Sequence, residues 1–125
     1  MKAQENVYLK KAADLTYDCV QCGYCLPSCP TYLTMKTETQ SPRGRINLVR
    51  VAAEGHITVN ELSVPIDLCL GCRSCEHVCP SNMEYGKMLE LVKVVSAITK
   101  SRLCLHCDVF VRVSSLSMCF RIKVS

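Results

Sequence analysis

The chain has 125 residues, eleven of them cysteine, and a formal net charge of +4. That length points to one domain, and so much cysteine leaves a disulfide framework, bound metal or redox chemistry as explanations. The charge does not mark a nucleic-acid binder: residues 1–97 hold ten Lys/Arg against ten Asp/Glu, the excess sits in Lys100, Arg102, Arg112, Arg121 and Lys123, and no aromatic-interleaved basic patch accompanies it.

The first stretch, MKAQENVYLKKAADL, has no apolar signal core, so a secretory leader is not expected. Without export, disulfides lose ground to bound metal. Residues 4–15 are weakly helical, with Val7, Ala12 and Leu15 apolar. CVQCGYCLPSCP follows at residues 19–30. Fifty residues later CLGCRSCEHVCP repeats the frame at residues 69–80, so Cys19, Cys22, Cys25, Cys29 and Pro30 map onto Cys69, Cys72, Cys75, Cys79 and Pro80.

Between the repeats, Ser41 can cap a helix, Pro42 suits its first turn and Gly55 its exit. Ile46, Val49 and Ala53 are expected on its apolar face, with Arg43, Arg45 and Arg50 elsewhere. After the second repeat, Met88, Leu91, Val92 and Val95 follow the period of an amphipathic helix. The most apolar stretch, MLELVKVVSAI, is interrupted by Glu90 and Lys93, so no transmembrane segment is expected. From Leu103 the chain is rich in β-branched and aromatic residues and alternates as VFVRV, which predicts a strand.

Three cysteines at C-x2-C-x2-C put three thiolates on one tight loop. A cubane cluster offers three iron corners to such a loop and needs a fourth ligand from elsewhere. In two-cluster ferredoxins the fourth cysteine of each run, followed by proline, ligates the other cluster. Applied here, Cys19, Cys22, Cys25 and Cys79 hold one [4Fe-4S] cluster, and Cys69, Cys72, Cys75 and Cys29 hold the second. Two zinc ions would use the same eight thiols, but zinc needs no third cysteine and closing proline in each run. Gly23 and Gly71 let the loops turn, and Pro30 and Pro80 set the exit direction. Arg73 is expected to offset cluster charge, and Tyr17, Tyr24, Tyr32 and Tyr85 to shield the clusters from water. Arg43 and Arg45 read as solvent-facing or as partner contacts. His56 and His77 read as surface histidines. A capped insert of about three turns favours an all-α, helical ferredoxin-like domain over the compact βαβ form.

DCVQCGYCLPSCPTY, SPRGRINLV and DLCLGCRSCEHVCPSNMEYGKMLE together resemble the N-terminal ferredoxin domain of the glycolate oxidase iron–sulfur subunit. The iron–sulfur subunits of lactate-utilisation systems and of anaerobic glycerol-3-phosphate dehydrogenase share the pattern. The resemblance covers roughly residues 12–95. It implies a cytoplasmic electron-transfer subunit, peripheral at the inner face of a membrane through its complex. Electrons would come from a flavin-containing 2-hydroxy-acid dehydrogenase subunit and pass toward a quinone-linked acceptor. The alternatives are a heterodisulfide-reductase-like or succinate-dehydrogenase-like complex, a cluster-stapled interaction module without redox role, and a remnant that cannot dock.

No Ser/His/Asp constellation, paired carboxylates or phosphate-cradling loop suggests substrate turnover by this chain itself. The family pattern continues into paired CCG motifs that this sequence lacks. Residues 1–97 therefore read as the ferredoxin domain, and 98–125 as a truncated or frame-shifted tail. A third metal site would have to draw on Cys104, Cys107, Cys119 and His106.

Overall fold

A computed structural model describes the backbone of residues 2–111 and the side chains of residues 7–101. The described residues are helical and contain no strand, in keeping with the all-α expectation. Six helices follow in order: α1 (Lys2–Thr16), α2 (Pro30–Met35), α3 (Pro42–Ala53), α4 (Val59–Asp67), α5 (Ser74–His77) and α6 (Tyr85–Val111). A 3-10 turn, Glu38–Gln40, precedes α3.

The core lies where α6 packs on α1 and α4, and where α1 packs on α3. Met88, Val92 and Val95 of α6 are fully buried, as their helical period requires. They meet Leu62 and Ile66 of α4, Leu9 and Ala12 of α1, and Val49 of α3 in one apolar cluster. In α1 the inward residues are Leu9, Ala12, Ala13 and Thr16, whereas Val7 is half exposed.

Helix α3 starts as its caps predict. Ser41 is the N-cap and its Oγ accepts from the Gly44 N–H at 2.8 Å, while Pro42 occupies the first turn. Gly55 at φ 85° lies just beyond its exit. The buried face differs from expectation in two places. Ala52, not Ala53, is buried, and Arg45 lies inside with no exposed surface. Helix α4 is not among the expected elements, although Val59, Leu62 and Ile66 are spaced i, i+3, i+7 and Thr58 and Glu61 form a reciprocal capping box at its start.

The strand expected from Leu103 is corrected over residues 103–111, which continue α6 without a break. A helix already docked along the core extends past local β-propensity, which is a context-dependent preference. The same helix crosses the expected 97/98 boundary. Residues 112–125, and the side chains of Cys104, His106, Cys107 and Cys119, lie outside the described residues.

Candidate metal centre

The two cysteine loops share one backbone. In the first, Gln21 and Gly23 have φ of 59° and 83°. In the second, the equivalent residues Gly71 and Arg73 have φ of 68° and 58°. Each loop thus places left-handed residues at the same two positions, and each puts its single glycine at a different one. Left-handed residues between cysteines wrap the chain tightly enough to turn three thiols to one side.

Each loop faces a cavity. One is lined by Cys19, Cys22 and Cys25 together with Cys79, the last cysteine of the other repeat. The other is lined by Cys69, Cys72 and Cys75 together with Cys29. Pro42, Cys75 and Tyr85 line both, so the cavities share a wall. All eight thiols are free. Among the described residues no three His, Cys, Asp or Glu side chains converge on a point suited to a single ion. Four thiols spread around a cavity fit a multi-iron body better than one tetrahedral zinc.

Burial makes two of these thiols, Cys75 and Cys25, hard to ionise, while hydrogen bonds ease two others. Burial, then the neighbouring Cys25, Cys69, Cys29 and Cys72, push the Cys75 thiol up to about 12. Burial also raises Cys25, against backbone hydrogen bonds that favour its thiolate. At Cys79 burial pushes upward too, but the Ser81 hydroxyl and backbone hydrogen bonds at Met83, Ser81 and Asn82 outweigh it and the thiol is lowered. Hydrogen bonds from Ser74 lower Cys72. Bound cations are what would let all four thiols of a set ionise together.

Neutral polar groups attend the sulfurs in matched pairs. Thr31 Oγ1 lies 3.1 Å from Cys29 Sγ, and Ser81 Oγ lies 3.3 Å from Cys79 Sγ. These are equivalent positions, two residues after each closing cysteine, and C-P-T and C-P-S are a readable signal for them. Gln21 Nε2 donates to Cys19 Sγ at 3.5 Å, and Tyr85 OH lies 3.5 Å from Cys69 Sγ. Burial and the adjacent Cys69 raise the Tyr85 phenol far above its ordinary value, so it stays a neutral hydroxyl.

Helix α3 ties the loops together through three arginines. Arg43 Nη1 donates to the Gln21 carbonyl at 3.4 Å and Arg43 Nε to Glu38 Oε1 at 2.7 Å. Arg45 Nε donates to the Pro65 carbonyl at 2.8 Å, and its Nη groups reach Thr31 Oγ1 at 3.1 Å and Gln40 Oε1 at 3.0 Å. Arg50 donates from Nε to Thr16 Oγ1 at 2.9 Å and from Nη2 to the carbonyls of Thr16 and Cys19. It satisfies the carbonyl end of α1 where the first loop begins.

Several expectations change accordingly. Arg45 faces neither solvent nor a partner. Arg73 lines the second cavity but turns its guanidinium outward to Glu90 at 2.6 Å. Of the four tyrosines, Tyr85 is the buried wall. Tyr24 lines the first cavity while largely exposed, and Tyr17 packs its ring under Arg50, 5.3 Å from the centroid. His56 and His77 are exposed, as expected.

Residues 16–83 match the model of the 4Fe-4S dicluster domain. A probable glycolate oxidase iron–sulfur subunit of Bacillus subtilis (strain 168) is 53% identical over 75 residues, which are 58% of this chain and 17% of that protein. The glycolate oxidase iron–sulfur subunit of Escherichia coli (strain K12) is 36% identical over 88 residues, 70% of this chain and 22% of that protein. The chain thus spans about a fifth of the length of these relatives. No solved structure matches. With the double cysteine loop, its repeated backbone and a family match over more than half its length, the chain belongs to the 4Fe-4S dicluster domain family.

Proposed function

We propose that this chain is an electron-transfer module holding two [4Fe-4S] clusters with crossed ligation. Cys19, Cys22, Cys25 and Cys79 hold the first, and Cys69, Cys72, Cys75 and Cys29 the second. The observation that carries this reading is the pair of adjoining cavities, each lined by three thiols of one repeat and the last thiol of the other, with Cys75 in the wall they share. When bound, such clusters supply reversible one-electron storage. The chain's residues hold them, keep water off their shared wall through Tyr85, and aim hydroxyl and amide groups at the sulfurs.

The electron donor proposed is the flavin-containing subunit of a 2-hydroxy-acid dehydrogenase of glycolate type, and the acceptor is quinone-linked. The support is the likeness to two glycolate oxidase iron–sulfur subunits. No helix among the described residues is long and apolar enough to cross a membrane, so contact with a membrane acceptor would run through the complex. Exposed Val20 and Leu70, at equivalent positions beside the two loops, offer apolar contact near each cavity.

The test is iron and acid-labile sulfide per chain after purification without oxygen, with an EPR spectrum after dithionite. About eight of each and a magnetically coupled reduced signal are expected. Zinc in place of iron, or iron that dithionite does not reduce, would end the carrier reading.

A further inference from the structure

The two cavities are alike in neutral groups and unlike in charge. Each has one hydroxyl beside its crossing cysteine, although that of Thr31 donates to the Gln40 carbonyl at 2.9 Å, and one other polar group at a sulfur, Gln21 in the first and Tyr85 in the second. The nearby surface cations are already paired. Arg43, at the first cavity, is partly exposed and bound to Glu38 at 2.7 Å. Arg73, at the second, is half exposed and bound to Glu90.

Arg45 is different. It is fully buried, and its Nη1 lies 3.9 Å from Cys29 Sγ in the wall of the second cavity. Its other bonds go to neutral oxygens of Pro65, Thr31 and Gln40. None of the ion pairs among the described residues includes it. A buried guanidinium without an anion is costly, so a fold that keeps one implies a negative charge nearby. A cubane held by four thiolates is net negative, and gains one further unit on reduction. The attraction to Arg45 therefore grows on reduction, in a site where low dielectric screens it little.

Resting on the two-cluster reading, we propose that Arg45 makes the cluster of Cys29, Cys69, Cys72 and Cys75 the easier of the two to reduce. A single electron entering the pair settles there. No bond forms or breaks. The electron comes from a one-electron donor such as a reduced flavin and leaves to a one-electron acceptor.

The experiment is an anaerobic EPR-monitored redox titration of the whole chain, with iron counted in every variant. The parent should give two waves. Gln40→Glu places a carboxylate at the guanidinium without removing it. It should lower the upper wave by at least tenfold in the reduction equilibrium, about 59 mV for one electron, and leave the lower wave in place. Arg45→Gln should do the same, and Arg45→Lys, which keeps the charge, should recover most of the shift. Should Arg45→Gln fail to load iron, Gln40→Glu carries the test alone. Full iron with unmoved waves, with both waves moved equally, or with only the lower wave moved would overturn the role of Arg45 and leave the two-cluster reading standing. A parent chain without reducible iron would overturn both.

Discussion

A Cβ built on Gly44 would lie 1.8 Å from the carbonyl oxygen of Glu38. The first turn of α3 and the 3-10 turn before it are thus in backbone contact, with Ser41 Oγ donating to that same carbonyl at 2.8 Å. The obstacle is backbone and cannot swing away as a side chain would. Gly44→Ala must separate the two segments, which is expected to pull Gln40 away from Arg45 at the second cavity. The expected cost is about 3 kcal/mol or more. Chemical denaturation of the cluster-loaded chain checks it, and an unchanged midpoint would mean that the contact is not maintained.

Crossed ligation predicts an asymmetric response to cysteine loss. With Cys19, Cys22 and Cys25 all changed to Ser, about four iron should remain, on the second loop with Cys29. Adding Cys79→Ser should then change nothing, whereas adding Cys29→Ser should release the remaining iron. Iron analysis of the three proteins distinguishes crossed from uncrossed ligation, because an uncrossed arrangement gives the opposite order.

Arg50 joins α3 to the end of α1 and the entry of the first loop. Arg50→Ala leaves the Thr16 hydroxyl and the carbonyls of Thr16 and Cys19 without that donor, at a cost of about 1–3 kcal/mol. Arg50→Lys should recover little, because one ammonium cannot span the same set of acceptors. Thermal melts of the two variants beside the parent test this, and full recovery by lysine would show that charge alone matters.

Removal of iron should loosen the protein unevenly. Arg45 would lose its counter-charge, so α2 and the 3-10 turn at Glu38–Gln40 should exchange amide protons faster. Residues 88–95 of α6 pack on α1 and α4 through Met88, Val92 and Val95 and should hold their protection longer. Hydrogen exchange with and without a chelator checks this. Equal loss across both regions would instead mean that the clusters hold the whole fold in one cooperative unit.

Features that are local or periodic are legible in the sequence. Eight cysteines in two identical frames, a capped start at Ser41 and the stripe of Met88, Val92 and Val95 are all written within a few turns of chain. Which charged residue is buried depends instead on tertiary packing. Arg45 lies on the stripe of Pro42, Ile46, Val49 and Ala52, the i, i+3, i+4 face, and that register is the available signal. Read alone, a charge on an apolar face is assigned to solvent, because burying it unpaired costs more than the helix gains from packing. What reverses that assignment is the convergence of Thr31, Gln40, the Pro65 carbonyl and Cys29 around one guanidinium. These groups come from 5 to 20 residues away along the chain, and only the packing of α3 against α2, the 3-10 turn and α4 brings them within reach.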